Sequence, residues 1–251
     1  MSTEDEELLA GGNASGRVVR VGGTVRKPWL ATSGRTVEFL RALRAGGVDV
    51  PEPLGRDGAG RLVLEYVPGQ LAMDLGPLPE DVVRAVGRVV RSIHDASEGL
   101  AVPTDWPVLL PAAAPDLLCH NDLAAWNLVI DGDRLVFIDW DGAGPSTRLW
   151  DVAYAAISFA HLFPDADVDV AADRLAAFLD GYGADRVLRA ALPSTMVHRA
   201  EAMHDWLLRA HGEGEEPWAS MYEAGHGEHW RATTDFIAAH EARWSEACDR
   251  G

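Results

Sequence analysis

The 251-residue sequence has little basic charge and, in particular, almost no lysine. Lys27 is the only lysine, and arginine supplies the rest of the 22 basic side chains, against 39 acidic ones. The formal net charge is therefore −17. Nucleic-acid binding relies on Lys and Arg side chains that neutralise phosphates, so this balance argues against a nucleic-acid partner. It is compatible with a cationic small molecule, although an acidic surface also keeps proteins soluble.

Cysteines and long apolar runs are scarce as well. Cys119 and Cys248 lie far apart and outside any metal-binding pattern, which favours free thiols in a reducing compartment. No run approaches the roughly 18 apolar residues of a membrane span. The acidic start, MSTEDEELLA, lacks the basic residues of a signal peptide. We therefore expect a cytoplasmic protein without a membrane partner, and the sequence leaves its oligomeric state open.

Hydrophobic periodicity divides the chain into two lobes of an α+β fold. Residues 1–67 predict a small lobe of strands and turns with one helix over 35–45. Residues 68–251 predict a larger, mostly helical lobe, in which two short strands fold around the turn Asp131-Gly132. Ligands commonly bind in a cleft between such lobes. Three or four helices are expected after about residue 151, with breaks near 164, 181–183, 193 and 212–217.

The segment CHNDLAAWNLVIDGDRLVFIDWDGAG (119–144) contains the clearest catalytic pattern. Asp122 precedes Asn127 by five residues, and Asp139 follows twelve residues later, on a strand that the hairpin folds back beside the loop. Phosphoryl transfer needs a carboxylate that deprotonates the attacking hydroxyl, together with metal ions that bridge the phosphates. Magnesium takes oxygen ligands, of which the protein usually supplies one or two. Asp122 is therefore the candidate base, and Asn127 and Asp139 are candidate Mg²⁺ ligands.

Other interpretations of these acidic residues are weaker. Asp and Asn often cap turns, and Asp131 and Asp133 are predicted to do only that. An EF-hand loop is excluded because Leu135 and Val136 stand where it needs further ligands.

Three segments resemble the aminoglycoside phosphotransferase family, which includes choline-kinase-like enzymes: LVLEYVPG, HNDLAAWNL and IDWDGAGPSTRLWD. Family members typically carry HGDLHxGN where this chain has HNDLAAWN, so the base and metal positions match while the residues between them differ. The resemblance covers most of residues 11–155. It implies a protein-kinase-like bilobal fold that uses ATP and Mg²⁺. It also implies that His120 and Asp151 brace the catalytic loop.

The N-terminal lobe offers candidates for phosphate binding. The glycine-rich segment 11–16 is not a P-loop, because Arg17-Val18 replaces the required Lys-Ser/Thr pair and a strand follows instead of a helix. We predict a hairpin turn whose backbone N–H groups cover the phosphates, with Ser15 and Gly16 nearest to them.

A cation on the next strand should hold the phosphates and be fixed by a glutamate of the following helix. Strand alternation favours Arg26 if Val25 packs inward, whereas Lys27, as the single lysine, is the alternative. Glu38 is the predicted helix partner. The backbone groups of the lobe connection, those of Glu65 and Val67, are predicted to bind adenine.

The acceptor site is predicted among the C-terminal helices. Glu201 and Asp205 are i,i+4 neighbours on one helix face, and Trp206 follows them. Carboxylates beside an aromatic ring suit a cationic amine, although a solvated charged face is the alternative.

The sequence thus predicts a small-molecule kinase that transfers the γ-phosphate of ATP to a hydroxyl (EC 2.7.1-like). Aminoglycosides, choline or other amino alcohols, macrolides and amino sugars all remain open as acceptors. ATP or GTP, and one or two metal ions, also remain open. The alternative is a catalytically silent binding module with a kinase fold, although the intact Asp122, Asn127 and Asp139 speak against it. A two-metal hydrolase lacks the required ligand pattern.

Overall fold

The computed structural model describes residues 6–9 and 16–250. An N-terminal antiparallel sheet is followed by a mostly helical part, as the sequence predicts. The strands are β1 (Glu7–Leu8), β2 (Val19–Val21), β3 (Thr24–Lys27), β4 (Pro53–Arg56), β5 (Leu62–Glu65), β6 (Gln70–Leu71), β7 (Leu117–Cys119), β8 (Leu128–Asp131), β9 (Arg134–Phe137) and β10 (Gly144–Ser146). The α-helices are α1 (Ser33–Ala45), α2 (Glu80–Ser97), α3 (Arg148–Phe159), α4 (Val168–Tyr182), α5 (Arg186–Glu213), α6 (Trp218–Met221), α7 (Gly227–Ala239) and α8 (Glu241–Cys248). Within the described residues, none of the helices has both the length and the apolar character of a membrane span.

The N-terminal sheet has the strand order β1-β2-β3-β5-β4, with antiparallel neighbours. Two short β-branched runs around Gly22-Gly23 predict a hairpin, and this is confirmed, since β2 and β3 pair on either side of that turn. Strand β4 was not predicted, because Pro51 and Pro53 indicated only an extended connection. It forms the edge of the sheet and begins at Pro53, a position where a missing backbone N–H is tolerated.

Helix α1 packs its apolar side against the core. Val37, Leu40 and Leu43 are buried, and the helix ends before Gly46. The predicted helical spacing and its glycine end are therefore confirmed. Glu38 and Arg41, which lie between these apolar residues, are exposed, which matters for the site.

A second small sheet, β6-β8-β9, shapes the region of the catalytic pattern. Strands β8 and β9 form the predicted hairpin around Asp131-Gly132, and Leu128 pairs with Phe137. Directly beyond this pair, the Ile138 N–H donates to the Asn127 carbonyl oxygen at 2.8 Å. The hairpin therefore brings Asn127 next to Asp139, as the sequence predicts.

Helix α5 contradicts the predicted break at residue 193. It runs over 28 residues with Pro193 inside it. Proline removes one helical hydrogen bond and disfavours a helix interior, which is why the sequence predicted an end there. Leu192, Pro193 and Met196 are all buried, so tertiary packing keeps the helix continuous.

Helices α2 and α4 touch at two glycines. A Cβ atom built on Gly87 would overlap the Phe178 carbonyl oxygen, and one built on Gly181 would overlap the Arg84 carbonyl oxygen. The two helix backbones therefore approach more closely than any side chain at these positions allows. This contact fixes α2 against the remainder of the helical part.

We expect Gly181→Ala to lower the free energy of unfolding by about 1–3 kcal/mol or more, because the added methyl group must displace backbone. Gly212→Ala is the matched control, since a Cβ there meets no atom within 4 Å. It should be neutral or stabilising by up to about 1 kcal/mol, given the higher helix propensity of Ala. Urea unfolding of both variants measures the difference. Equal stabilities would contradict the close approach of α2 and α4.

Candidate active site

The catalytic loop, residues 120–127, connects β7 to β8. His120 is fully buried and lies at its start. Its Nε2 donates to the Ile138 carbonyl oxygen at 3.0 Å, and its Nδ1 accepts from the Asp122 N–H at 3.2 Å. The imidazole therefore joins the loop to the chain segment before Asp139. These contacts agree with the bracing role that the resemblance implies for His120.

Asn121 lies next in the loop, in a left-handed conformation with φ of 65°. Its N–H donates to the buried carboxylate of Asp151 at 2.8 Å. The other Asp151 oxygen bonds His94 Nε2 at 3.0 Å, and His94 Nδ1 bonds the Tyr182 hydroxyl at 2.9 Å. Asp151 thus links the loop to helices α2 and α4. A single histidine on the apolar face of a helix is usually a hydrogen-bonded core residue, and His94 is one.

The carboxylate of Asp122 is the candidate base. The Asn127 side-chain amide donates to it at 2.7 Å and to the Asp122 carbonyl oxygen at 3.0 Å. Burial raises the pKa of Asp122, and nearby Asp139 raises it further. Hydrogen bonds with Asn127 and Tyr154 act in the opposite direction without cancelling this increase. A carboxyl whose pKa is moved toward neutrality suits general base catalysis.

Asn127 and Asp139 provide an oxygen donor set. Asp139 has a left-handed backbone with φ of 57° at the start of the 3₁₀ turn Trp140–Gly142. Because the Asn127 amide nitrogen is committed to Asp122, its Oδ1 is the atom left for a ligand. An amide oxygen beside a carboxylate matches the preference of Mg²⁺ for oxygen. The residues present therefore fit a magnesium ion.

The cation beside this pair is Lys27, which corrects the preference for Arg26. Lys27 Nζ lies 2.7 Å from Asp139 Oδ1 and 2.8 Å from Asp141 Oδ1. Arg26 faces the other way, 3.8 Å from Asp57. The preference for Arg26 assumed that Val25 packs inward, away from the site. Val25 is only half-buried, however, and Lys27, on the same face of the strand, points to Asp139 and Asp141.

Lys27 is only 4% exposed. Burial by itself lowers the pKa of Lys27, but Asp139 and Asp141 outweigh this effect and the net pKa is raised. Burial likewise raises the pKa of Asp139, but Lys27 outweighs it, so the net pKa is lowered. The lysine is therefore held as a cation between two carboxylates.

Glu38 does not reach this cation. It is exposed on α1 and forms no ion pair or hydrogen bond among the described residues. Its predicted partnership with the phosphate-binding cation is therefore wrong. Glu38 follows the buried Val37 by one position, which is a rotation of about 100° toward solvent.

The other residues predicted to bind the nucleotide have different outcomes. Ser15 lies outside the described residues, whereas Gly16 is exposed and left-handed, with φ of 78°. The Glu65 N–H donates to the Glu52 carbonyl oxygen at 2.9 Å, so this group is not open to adenine. Val67 forms no backbone hydrogen bond within the described chain and stays a candidate.

The predicted acceptor residues lie away from the catalytic loop. Glu201 and Asp205 are exposed, and Trp206 packs edge-on against Trp218 at 6.2 Å between ring centroids. The α5 residue that reaches the loop is Arg199, whose Nη2 donates to the Asn121 carbonyl oxygen at 3.2 Å. Glu201 lies about 200° further around the helix. The structure therefore gives these two carboxylates no part in the site.

Two buried residues beside Asp122 were missed. The Tyr154 hydroxyl interacts with the Asp122 carboxylate, and burial raises the Tyr154 pKa well above its usual value. The Arg199 guanidinium lies 4.1 Å from the Tyr154 ring centroid, and Trp230 stacks on that ring at 5.8 Å. The spacing of Tyr154 three residues after Asp151 on one helix was an available signal. No local pattern marked Arg199.

The model of the phosphotransferase enzyme family (APH) matches residues 7–108 and 100–192. Protein LicA of Haemophilus influenzae is 46% identical over 48 residues, which cover 19% of this chain and 18% of that protein. A 3-deoxy-D-manno-octulosonic acid kinase of Photobacterium profundum is 32% identical over 117 residues, covering 42% of this chain and 41% of the kinase. The matched segments thus span less than half the length of these curated relatives.

Solved structures extend the likeness over nearly the whole chain. A choline/ethanolamine kinase family protein from Mesorhizobium loti has a TM-score of 0.65 at 18% identity, with 99% of this chain and 94% of that chain covered. The amicoumacin kinase hAmiN has a TM-score of 0.69 at 15% identity, with 95% and 89% covered. At these identities the likeness shows the fold, which is kinase-like.

We expect Asp151→Ala to lower the free energy of unfolding by about 2–5 kcal/mol, because it leaves the Asn121 N–H and His94 Nε2 buried without partners. Asp169→Ala is the matched control. Asp169 is exposed and pairs with Arg243 at 2.9 Å, a surface ion pair of about 0–1 kcal/mol. Urea denaturation compares the two. A loss for Asp151→Ala no larger than that of the control would refute the bracing network.

Proposed function

The chain belongs to the phosphotransferase enzyme family, and we propose from this premise that it is an ATP-dependent small-molecule kinase. The observation that supports this most directly is the convergence of a half-buried carboxylate, an oxygen donor pair and a buried lysine. Asp122, Asn127 and Asp139 meet in one loop region, and Lys27 approaches from the N-terminal sheet. These are the parts that phosphoryl transfer requires.

In the proposed reaction, Asp122 takes the proton of the acceptor hydroxyl. The Asn127 amide holds one carboxylate oxygen at 2.7 Å, which fixes the orientation of the group. The oxygen of the acceptor attacks the γ-phosphorus, the bond from that phosphorus to the β-γ bridging oxygen breaks, and ADP leaves. The raised pKa of Asp122 makes the carboxylate a stronger base than an exposed aspartate.

Asn127 and Asp139 would hold Mg²⁺, which neutralises charge on the transferring phosphates when it is bound. Lys27 would hold the α- and β-phosphates, and the Val67 backbone would bind adenine. Gly16 would lie close to the phosphates. Each of these assignments combines position in the structure with the family resemblance.

The proposed acceptor is a small hydroxylated molecule, and its amine character rests on two observations. The net charge of −17 favours cations over anions at the surface. Trp126, 36% exposed and adjacent to Asn127, offers an aromatic face within the catalytic loop. Such faces bind ammonium groups. The similar proteins whose names mention choline, ethanolamine or amicoumacin make these compounds and their analogues the first acceptors to test.

We expect Asp122→Ala to reduce acceptor-dependent ADP release by about 10²–10⁴-fold while nucleotide binding is retained. The assay follows ADP formed from Mg²⁺-ATP with choline, ethanolamine, aminoglycosides, macrolides, amino sugars and amicoumacin. Asp131→Ala, in the exposed β8–β9 turn, is the matched control and should keep wild-type rates.

The outcomes separate the two functional hypotheses. Turnover that disappears in Asp122→Ala but not in Asp131→Ala supports the kinase and identifies its acceptor. Acceptor binding without turnover in the wild-type protein would favour the catalytically silent binding module. Full activity of Asp122→Ala would exclude Asp122 as the base.

We expect Tyr154→Phe to shift the pH dependence of turnover. The bond with Tyr154 lowers the pKa of Asp122, so its removal raises that pKa further. Because the base must be ionised, activity falls as the pH drops through the Asp122 pKa, and the acid limb should move to higher pH. Profiles of kcat/KM for Tyr154→Phe and for the distant control Tyr222→Phe measure this. An unshifted acid limb would show that Tyr154 does not act on Asp122.

A further inference from the structure

We propose that Asp141 is the positioning residue that fixes Lys27 for the nucleotide phosphates, in place of a glutamate from the helix after β3. This inference rests on the proposed kinase function and assigns Asp141 a role in nucleotide binding. Kinases commonly fix the phosphate-binding lysine through an ion pair with a helix glutamate. Here the pairing carboxylate comes from the segment that also carries Asp139.

The geometry of Asp141 supports this role. Its Oδ1 lies 2.8 Å from Lys27 Nζ, and both side chains are well shielded, with 16% exposure for Asp141 and 5% for Lys27. Asp141 Oδ2 is buried and has no hydrogen-bond partner among the described residues. In the described part of the chain, Lys27 is therefore the one cation that compensates this carboxylate.

The backbone under Asp141 is rigidly supported. It sits in the 3₁₀ turn with Trp140, which is 1% exposed and whose Nε1 donates to the Phe137 carbonyl oxygen at 2.9 Å. The His120 ring packs on Trp140 with 4.4 Å between centroids. A carboxylate mounted on this turn has a fixed position, which an anchor for a flexible lysine side chain requires.

The helix that would normally provide the anchor does not do so. Glu38 is exposed, and the face of α1 that turns inward carries Val37, Leu40 and Leu43. A swing of Glu38 toward Lys27 would need a rotation of α1 that exposes these apolar side chains. The fold therefore leaves Asp141 as the partner.

The two carboxylates that contact Lys27 would also serve two different functions, metal binding and positioning of the lysine. If Asp139 ligates Mg²⁺, the metal competes with the ammonium group for its oxygens, and that contact with Lys27 weakens. Asp141 Oδ1 can hold Lys27 independently. The arrangement therefore keeps the lysine in place in both the free and the metal-nucleotide states.

The test is a calorimetric titration with ADP in the presence of EDTA. Because EDTA removes divalent metal ions, the measured affinity then reports the contact between Lys27 and the phosphates without a contribution from metal. We expect Asp141→Asn to weaken ADP binding by about 10-fold or more, as the loss of a charge-assisted contact implies. Glu38→Gln, the control at the usual anchor position, should bind like the wild type. In a Lys27→Met background, Asp141→Asn should cause no further loss, because its effect passes through the lysine.

Asp141→Glu keeps the carboxylate and should recover part of the affinity, and far-UV circular dichroism verifies that each variant is folded. Normal ADP binding by Asp141→Asn in EDTA, with weakened binding only when Mg²⁺ is added, would overturn the proposal and make Asp141 a metal ligand instead. Loss of ADP affinity in Glu38→Gln would also overturn it. Absence of ADP binding by the wild-type protein with Mg²⁺ as well as in EDTA would instead refute the kinase function from which the proposal starts.

Discussion

The buried Lys27 ammonium group, held between Asp139 and Asp141, ties the N-terminal sheet to the catalytic loop region. An unpaired charge at such a depth costs several kcal/mol, and a buried lysine is stable only where carboxylates compensate it. The compensation works only if β3 and the turn after β9 keep their relative positions. The sheet, the β8–β9 hairpin and the loop are therefore constrained together by one charge cluster, and the geometry of the candidate site depends on this constraint.

The second constraint converges on Asn121, the residue before the candidate base. Its N–H is held by Asp151 of α3, which in turn contacts His94 of α2, and its carbonyl oxygen is held by Arg199 of α5. Asparagine tolerates the left-handed backbone better than most residues, which suits this position. Three helices thus fix both peptide groups that flank Asn121. The orientation of Asp122 is consequently a property of the whole helical part and not of the loop alone.

Local patterns predicted most of the fold and the central part of the site. Glycine turns and apolar spacing predicted the β2–β3 hairpin, α1 and the β8–β9 hairpin. The spacing of Asp122, Asn127 and Asp139 predicted their proximity. Errors arose where a choice depended on which face of an element meets a distant one. Arg26 was preferred over Lys27 because the inward face of β3 could not be known, and Glu38 was assigned without knowing how α1 is rotated. The continuity of α5 through Pro193 and the contact of Arg199 with the catalytic loop depend on packing between helices. No short-range sequence pattern indicates such packing.

The scarcity of lysine has a practical consequence for chemical labelling. Apart from the terminal amino group, Lys27 is the only primary amine in the chain. Reagents that modify amines therefore meet a single side chain, shielded between two carboxylates wherever the sheet rests on the catalytic loop. The rate of acylation at Lys27 would therefore report how often its amino group becomes accessible to solvent, without any engineered probe.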